Sequence, residues 1–337
     1  MLLTNLGLRS TDRRSLAARS QNGQPLRHRI GASFGTLANP STAHSRDLPA
    51  DFPESKVPIA GLSGTTWVPG TLPSGRLAQT RVEETTVTDA LDALTGSVDR
   101  LHALVDGLDP DQLTASAYPT EWSVADVLSH LGSGAVILLR RLDDTLAGTP
   151  TPDDAAPAVW DTWNAKVPEA QAADALVADR ALLDRVLGLT ADERNRFEFA
   201  MGPMTFDLDG FIGLRLNEHA LHLWDIEVAF DPTATVAAGS VASVVDNLQM
   251  FTRFTGTPTG TPGSVEVTTS DPQRSFVIVL GPDEVSISAS DPVAEPDLEL
   301  PSEALVRLVY GRLDPDHTPA VRGGADLDVL RGVFPGA

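Results

Sequence analysis

From Glu83 onward, Val87, Leu91, Leu94, Val98, Leu101, Leu104 and Leu108 follow one another at three- and four-residue steps. That is the spacing of one face of an α-helix. A stripe of this length has to be covered by other apolar surface, so it commits the chain to helix-on-helix packing. The sequence supplies the partners. In TEWSVADVLSHLGSGAVILLRRLDDTLAG, Ser123 and Asp126 have the spacing of a capping box, and the helix they open would bury Val124, Val127, Leu128, Leu131, Ile137 and Leu138. The Pro-rich TPTPDDAAP stretch follows as a loop, then helices over about 159–166 and 169–188. Beyond a turn at Met201-Gly202-Pro203, further helices are expected over 208–230 and 236–254. Long helices with short connections form a bundle.

Past the turn-rich TGTPTGTPG the period changes from about 3.6 to 2. SVEVTT, SFVIVL and EVSISA read as strands of a small antiparallel sheet. PSEALVRLVYGRL then reads as a helix, AVRGG as a short strand and ADLDVLRGVF as a last helix. The expected fold is therefore mainly α with a small α+β unit, divided into a bundle over 83–254 and a C-terminal unit over 255–337.

Residues 1–82 differ in kind. They hold ten basic and four acidic side chains, a net of +6, so the rest of the chain carries −27 of the overall −21. They are rich in Pro, Gly, Ser and Thr without a sustained apolar period, and read as a disordered basic leader. The first residues lack the apolar run of a secretory signal, and no run of about 18 apolar residues occurs in the chain, so a cytoplasmic protein is expected, with no membrane partner. The acidic balance excludes an extended nucleic-acid surface, which needs clustered Lys and Arg. The chain has no cysteine, hence no disulfide, thiolate zinc finger or cysteine nucleophile. Any sulfur chemistry has to use a sulfur from outside.

The segment LRLNEHALHLWDIEVAF carries the chemistry. Glu218 and His222 are about 400° apart around a helix, an offset of about 40° with about 6 Å of rise, so both can reach one metal ion. Asp225 and Arg215 fall on the same stripe and are expected to orient the ligands from behind. His219 points about 100° away from Glu218 and reads as a rim or solvent histidine. A third ligand must come from another helix, and His130, flanked by Leu128 and Leu131, is the candidate. Two histidines and one carboxylate leave a coordination position open, the composition of a catalytic site. Zinc suits this set best, and Fe(II), nickel or manganese are also compatible with it. No P-loop, dinucleotide fingerprint, H-E-x-x-H or G-x-S-x-G is present.

WSVADVLSHLG around His130, RLNEHALHLWD around Glu218 and His222, and LVYGRL followed by VRGGADLDVL are similar to the mycothiol-dependent maleylpyruvate isomerase family. The resemblance covers about 83–337. It implies a DinB-like bundle followed by a sterol-carrier-like unit, and it makes His130, Glu218 and His222 the metal ligands. It also implies an enzyme using mycothiol or a similar small thiol, as a cis–trans isomerase or as an S-transferase on an electrophile. Arg312 of the Y-G-R-L segment is then expected to bind a substrate carboxylate, with Tyr310 beside it as packing. The partners are a small electrophile and a thiol, and the protein is a monomer or homodimer. Two other readings fit the same ligands: a hydrolase acting through bound water, and a non-catalytic binding protein with a structural metal.

Overall fold

A computed structural model describes residues 83–202 and 204–336, with side chains from residue 89 onward; the expected leader over 1–82 lies outside the described residues. Helix α1 spans Glu83–Val105 and is followed by the single turn α2, Pro110–Leu113. Then come α3 (Val124–Leu146), α4 (Ala155–Asn164), α5 (Pro168–Leu187) and the short α6 (Ala191–Arg196). The capping box at the head of α3 forms as expected: Ser123 accepts from the Asp126 amide, and the Asp126 carboxylate accepts from the Ser123 amide. Helix α4 begins inside the stretch expected to be loop, because Pro157 falls in its first turn, where its missing N–H costs nothing.

The turn at Met201-Gly202 joins β1 (Phe199–Met201) to β2 (Met204–Phe206), a small hairpin not expected from the sequence. Helix α7 follows over Leu208–Phe230. The single helix expected over 236–254 is two, α8 (Ala238–Asp246) and α9 (Leu248–Thr255), meeting at Asn247. Helices α1, α3, α5 and α7 pack around a continuous apolar core containing Leu94, Leu101, Leu128, Leu138, Leu183, Ile212 and Leu216.

Helix α7 is buried along most of its length. Leu208, Phe211 to Ile226 and Val228 are all buried, so no polar face is left for water. Arg215, Asn217, Glu218, His219, His222 and Asp225 all lie in the interior. Buried charges are costly without partners, so the arrangement of these groups is where the sequence spends its specificity.

The C-terminal sheet has the order β5-β4-β3-β6-β7, from β3 (Gly263–Ser270), β4 (Arg274–Leu280), β5 (Val285–Ala289), β6 (Leu298–Pro301) and β7 (Arg322–Gly323). The three expected strands pair antiparallel, β3 with β4 and β4 with β5, and the sheet is made mixed by β6, a strand not expected from the sequence, which lies parallel to β3 with Val267 opposite Leu298. A four-residue strand ending in proline gives little alternation to read. Helices α10 (Ser302–Val309) and α11 (Leu327–Val333) complete this part, and α10 packs on α8. The guanidinium of Arg307 sits 5.0 Å over the Trp224 ring of α7, a cation–π contact between the sheet part and the bundle.

Gly132 lets α3 approach its neighbours. A Cβ there would lie 2.3 Å from the Trp163 ring and 2.8 Å from the Ala175 backbone. Gly132→Ala gains roughly 1 kcal/mol of helix propensity but overpacks a rigid aromatic against backbone, at about 1–3 kcal/mol. A net fall in the denaturant midpoint with an unchanged slope is expected.

Candidate metal centre

His130 comes from the second turn of α3, and Glu218 and His222 from the middle of α7. Their metal-binding atoms all lie within 4.8 Å of one another. His130 Nε2 is 2.9 Å from Glu218 Oε2, and His222 Nε2 is 3.6 Å from the same oxygen. Ligand atoms about 2.1 Å from a tetrahedral zinc stand about 3.4 Å apart, so the donor set and spacing fit a divalent ion without rearrangement of the helices. The three sequence-predicted ligands are thus brought together.

The three side chains are unequally buried. The His130 side chain is 15% exposed, while those of Glu218 and His222 are 6% and 5% exposed. The Trp122 ring lies against both histidines, stacked at 15° and 6.1 Å on His222 and tilted at 5.5 Å from His130. Its place is set by the loop before α3: the Trp122 amide donates to the Pro119 carbonyl, its carbonyl accepts from Ala117, and the Tyr118 amide donates to the Asp225 carbonyl of α7. Its only signal in the sequence is that it precedes the capping serine of the helix carrying His130.

The electrostatics suit neutral nitrogen and anionic oxygen donors. Burial pushes the His130 imidazole down to about 3, against its hydrogen bond with Glu218. Burial opposes the charge of Glu218, and its hydrogen bond with His130 favours it; its carboxyl lies well below the usual range. Asp225 is fully buried, which would raise it, yet Arg312 and the hydrogen bond from His222 hold it at about 2.

Asp225 stands behind the trio as expected, its Oδ2 2.8 Å from His222 Nδ1. Arg215 does not. It donates to Asp179 of α5 and, at 3.0 Å, to the Leu131 carbonyl. Three residues before Glu218 is about 60° around the helix, only about 40° from His219, so Arg215 belongs to the neighbouring stripe. His219 overturns the rim expectation: it is completely buried, with Nδ1 2.8 Å from Ser97 Oγ of α1 and Nε2 3.2 Å from Asp179 Oδ2. Ser97, His219 and Asp179 have the connectivity of a catalytic triad, but Ser97 is 2% exposed and sealed in the core.

Arg312 is engaged from two sides. Its Nε donates to Asp225 Oδ1 and its Nη2 to Asp225 Oδ2, both at 2.7 Å, and its Nη1 donates to the Tyr310 carbonyl at 3.1 Å. The carboxylate that the fork of Arg312 meets in this structure is one of the protein itself. Tyr310 packs 6.0 Å from the Phe251 ring, in keeping with the packing role. Its buried hydroxyl finds no hydrogen-bond partner among the described residues, and burial, with the charge of Glu218, raises it well above the usual phenol range.

Residues 94–227 match the family model for the mycothiol maleylpyruvate isomerase N-terminal domain, a span that includes all three site residues and Asp225. The family resemblance read from the sequence is borne out. A crystal structure of the mycothiol-dependent maleylpyruvate isomerase, as a histidine-to-alanine mutant, superimposes with a TM-score of 0.52 at 12% identity. It covers 71% of this chain and 94% of its own, more than residues 83–254 alone could supply. A second crystal structure of the mycothiol-dependent maleylpyruvate isomerase gives 0.50 at 13% identity, covering 67% and 89%. At such identities the likeness to the solved structures is one of fold. No curated protein matches the chain. Among the described residues, no helix is long and apolar enough to cross a membrane.

Proposed function

We propose that this protein is a zinc-dependent cis–trans isomerase of the maleylpyruvate type, using mycothiol or a similar small thiol as cofactor. The observation that carries this is the convergence of His130, Glu218 and His222 beneath a single aromatic wall, in a segment matching the mycothiol maleylpyruvate isomerase N-terminal domain. In the same reading, 83–254 form a DinB-like bundle and 255–337 a sterol-carrier-like unit, in a cytoplasmic enzyme.

His130 Nε2, Glu218 Oε2 and His222 Nε2 would hold the ion. The chemistry such an ion would supply is a lowered pKa for an incoming thiol, which would make thiolate available at neutral pH. Because the chain has no cysteine, that thiol must be external. Trp122, whose ring lies against those of His130 and His222, would border a thiol bound there. The Asp225 carboxylate accepts only, so the proton of His222 stays on Nδ1 and Nε2 faces the metal position. Thiolate addition to an electrophilic alkene carbon, bond rotation and thiolate departure give isomerisation; retention of the C–S bond would make the same site an S-transferase.

Zinc-loaded protein is assayed on maleylpyruvate and on other unsaturated dicarboxylates, with mycothiol, with another small thiol and with none. Turnover that needs thiol and leaves it unconsumed is the expected result, and stoichiometric thiol consumption would identify the S-transferase instead. Turnover independent of thiol, or the absence of stoichiometric metal from the purified protein, would overturn the proposal.

A further inference from the structure

We propose that Arg312 is a positioning residue for His222, acting through Asp225, so that the C-terminal part of the chain sets the geometry of the metal centre in the bundle. The inference rests on the metal reading above only for its consequence; the arrangement that carries it stands without an ion. Asp225 lies one helical turn beyond His222 on α7 and is completely buried. Both of its oxygens are gripped by the Arg312 fork at 2.7 Å, and Oδ2 also accepts from His222 Nδ1 at 2.8 Å. A carboxylate held at both oxygens cannot turn about its own axis, so the imidazole bonded to it is fixed in ring orientation and in tautomer. Without the fork, the hydrogen bond to His222 would still be possible, but nothing would fix its direction.

The guanidinium is itself held in place. Arg312 follows Gly311, which turns the chain at φ +68°, and a Cβ at Gly311 would fall 2.1 Å from the Gly336 amide nitrogen. Only glycine fits both the backbone angle and that approach. The Arg312 amide donates to the Arg307 carbonyl at 2.6 Å, and its Nη1 to the Tyr310 carbonyl. The loop between α2 and α3 supports the same contact: Tyr118 donates its amide to the Asp225 carbonyl and, at 2.7 Å, its hydroxyl to Asp314, two residues beyond Arg312. The bonds to Asp225 and to the Tyr310 carbonyl use three of the five guanidinium N–H groups, and the Nε–Nη2 edge, the one that forms a fork, lies on Asp225. The geometry therefore assigns its fork to Asp225.

The test compares full-length wild type, Arg312→Met and Arg312→Lys, with folding checked by thermal unfolding. One readout is the ring nitrogens of His222 by 15N NMR without metal: wild type is expected as the single Nδ1–H tautomer, Arg312→Met as a mixture, and Arg312→Lys, which keeps the charge but not the fork, in between. The other is zinc alone, titrated against a chromogenic chelator, with affinity expected to fall about 10- to 100-fold in Arg312→Met, as for loss of other groups that orient a metal-bound histidine. If Arg312→Met proves unfolded, Arg312→Lys decides by the same readouts. A folded variant with wild-type tautomer and zinc affinity, altered only in KM for a dicarboxylate, would overturn the proposal in favour of substrate binding. If wild type binds no zinc, the proposed function fails, while the tautomer readout still decides the role of Arg312.

Discussion

His222→Ala is expected to abolish stoichiometric zinc and to bring thiol-dependent turnover to background while leaving the bundle folded. Losing an orienting partner behind a metal ligand costs about 10- to 100-fold in affinity, and losing the ligand itself removes more than that, so a fall of over about 100-fold is expected. His222 is replaceable structurally because Asp225 keeps its bidentate partner Arg312 when the imidazole is gone. The distinguishing measurement is thermal unfolding with and without zinc. An ion that binds only the folded state stabilises it by about 2.7 kcal/mol at one hundred times its Kd. Wild type should show that gain and His222→Ala should not. Trp122, stacked on His222, supplies a second readout: its fluorescence should change on zinc addition to wild type, and the change should vanish in Trp122→Phe. Equal zinc-dependent stabilisation of both proteins would show that the ion binds elsewhere.

The pair on α7 was legible because the angle between Glu218 and His222 depends only on helix geometry and their spacing in the sequence. His130 was legible with less force, as a histidine at an apolar position. What sequence could not supply were the partners drawn from distant elements. Arg312 is 87 residues from Asp225, and no local pattern announces that a cation after the last bundle helix will close on an aspartate within it. His219 was misread as a rim residue for a related reason. The angular argument correctly took it off the ligand stripe, but the opposite side of α7 is core, not solvent. The signal was present in the composition of the helix: LRLNEHALHLWDIEV places apolar residues on every face, the mark of a helix buried all round. Read that way, each polar residue on α7 demands a partner. In the sheet part, alternating strands were legible and the parallel β6 was not, because its pairing with β3 is set by the crossover and not by its four residues.

The partners of that second stripe make the other large effect. Asp179 of α5 accepts from Arg215 and His219 of α7; His219 contacts Ser97 of α1, and Arg215 donates to the Leu131 carbonyl of α3. One buried network therefore ties the four long helices, on the stripe of α7 beside the metal-ligand stripe. Asp179→Ala leaves the Arg215 guanidinium, 2% exposed, without a counter-charge, and should destabilise the protein by about 3–5 kcal/mol. Removing both charges, as Asp179→Leu with Arg215→Met, is expected to be far milder than the single change, since no charge is then stranded in the core. The pH dependence has a definite sign. Burial alone would raise Asp179, but Arg215 and His219 hold it at about 2, below the unfolded carboxylate near about 3.9. Its stabilisation is fully present above the unfolded value and is lost as pH falls through about 4 towards 2. Wild type should thus lose stability over that window more steeply than the double variant, as read by denaturant midpoints. Equal acid slopes, or a double variant as damaged as Asp179→Ala, would show that the network contributes through packing and not through its charges.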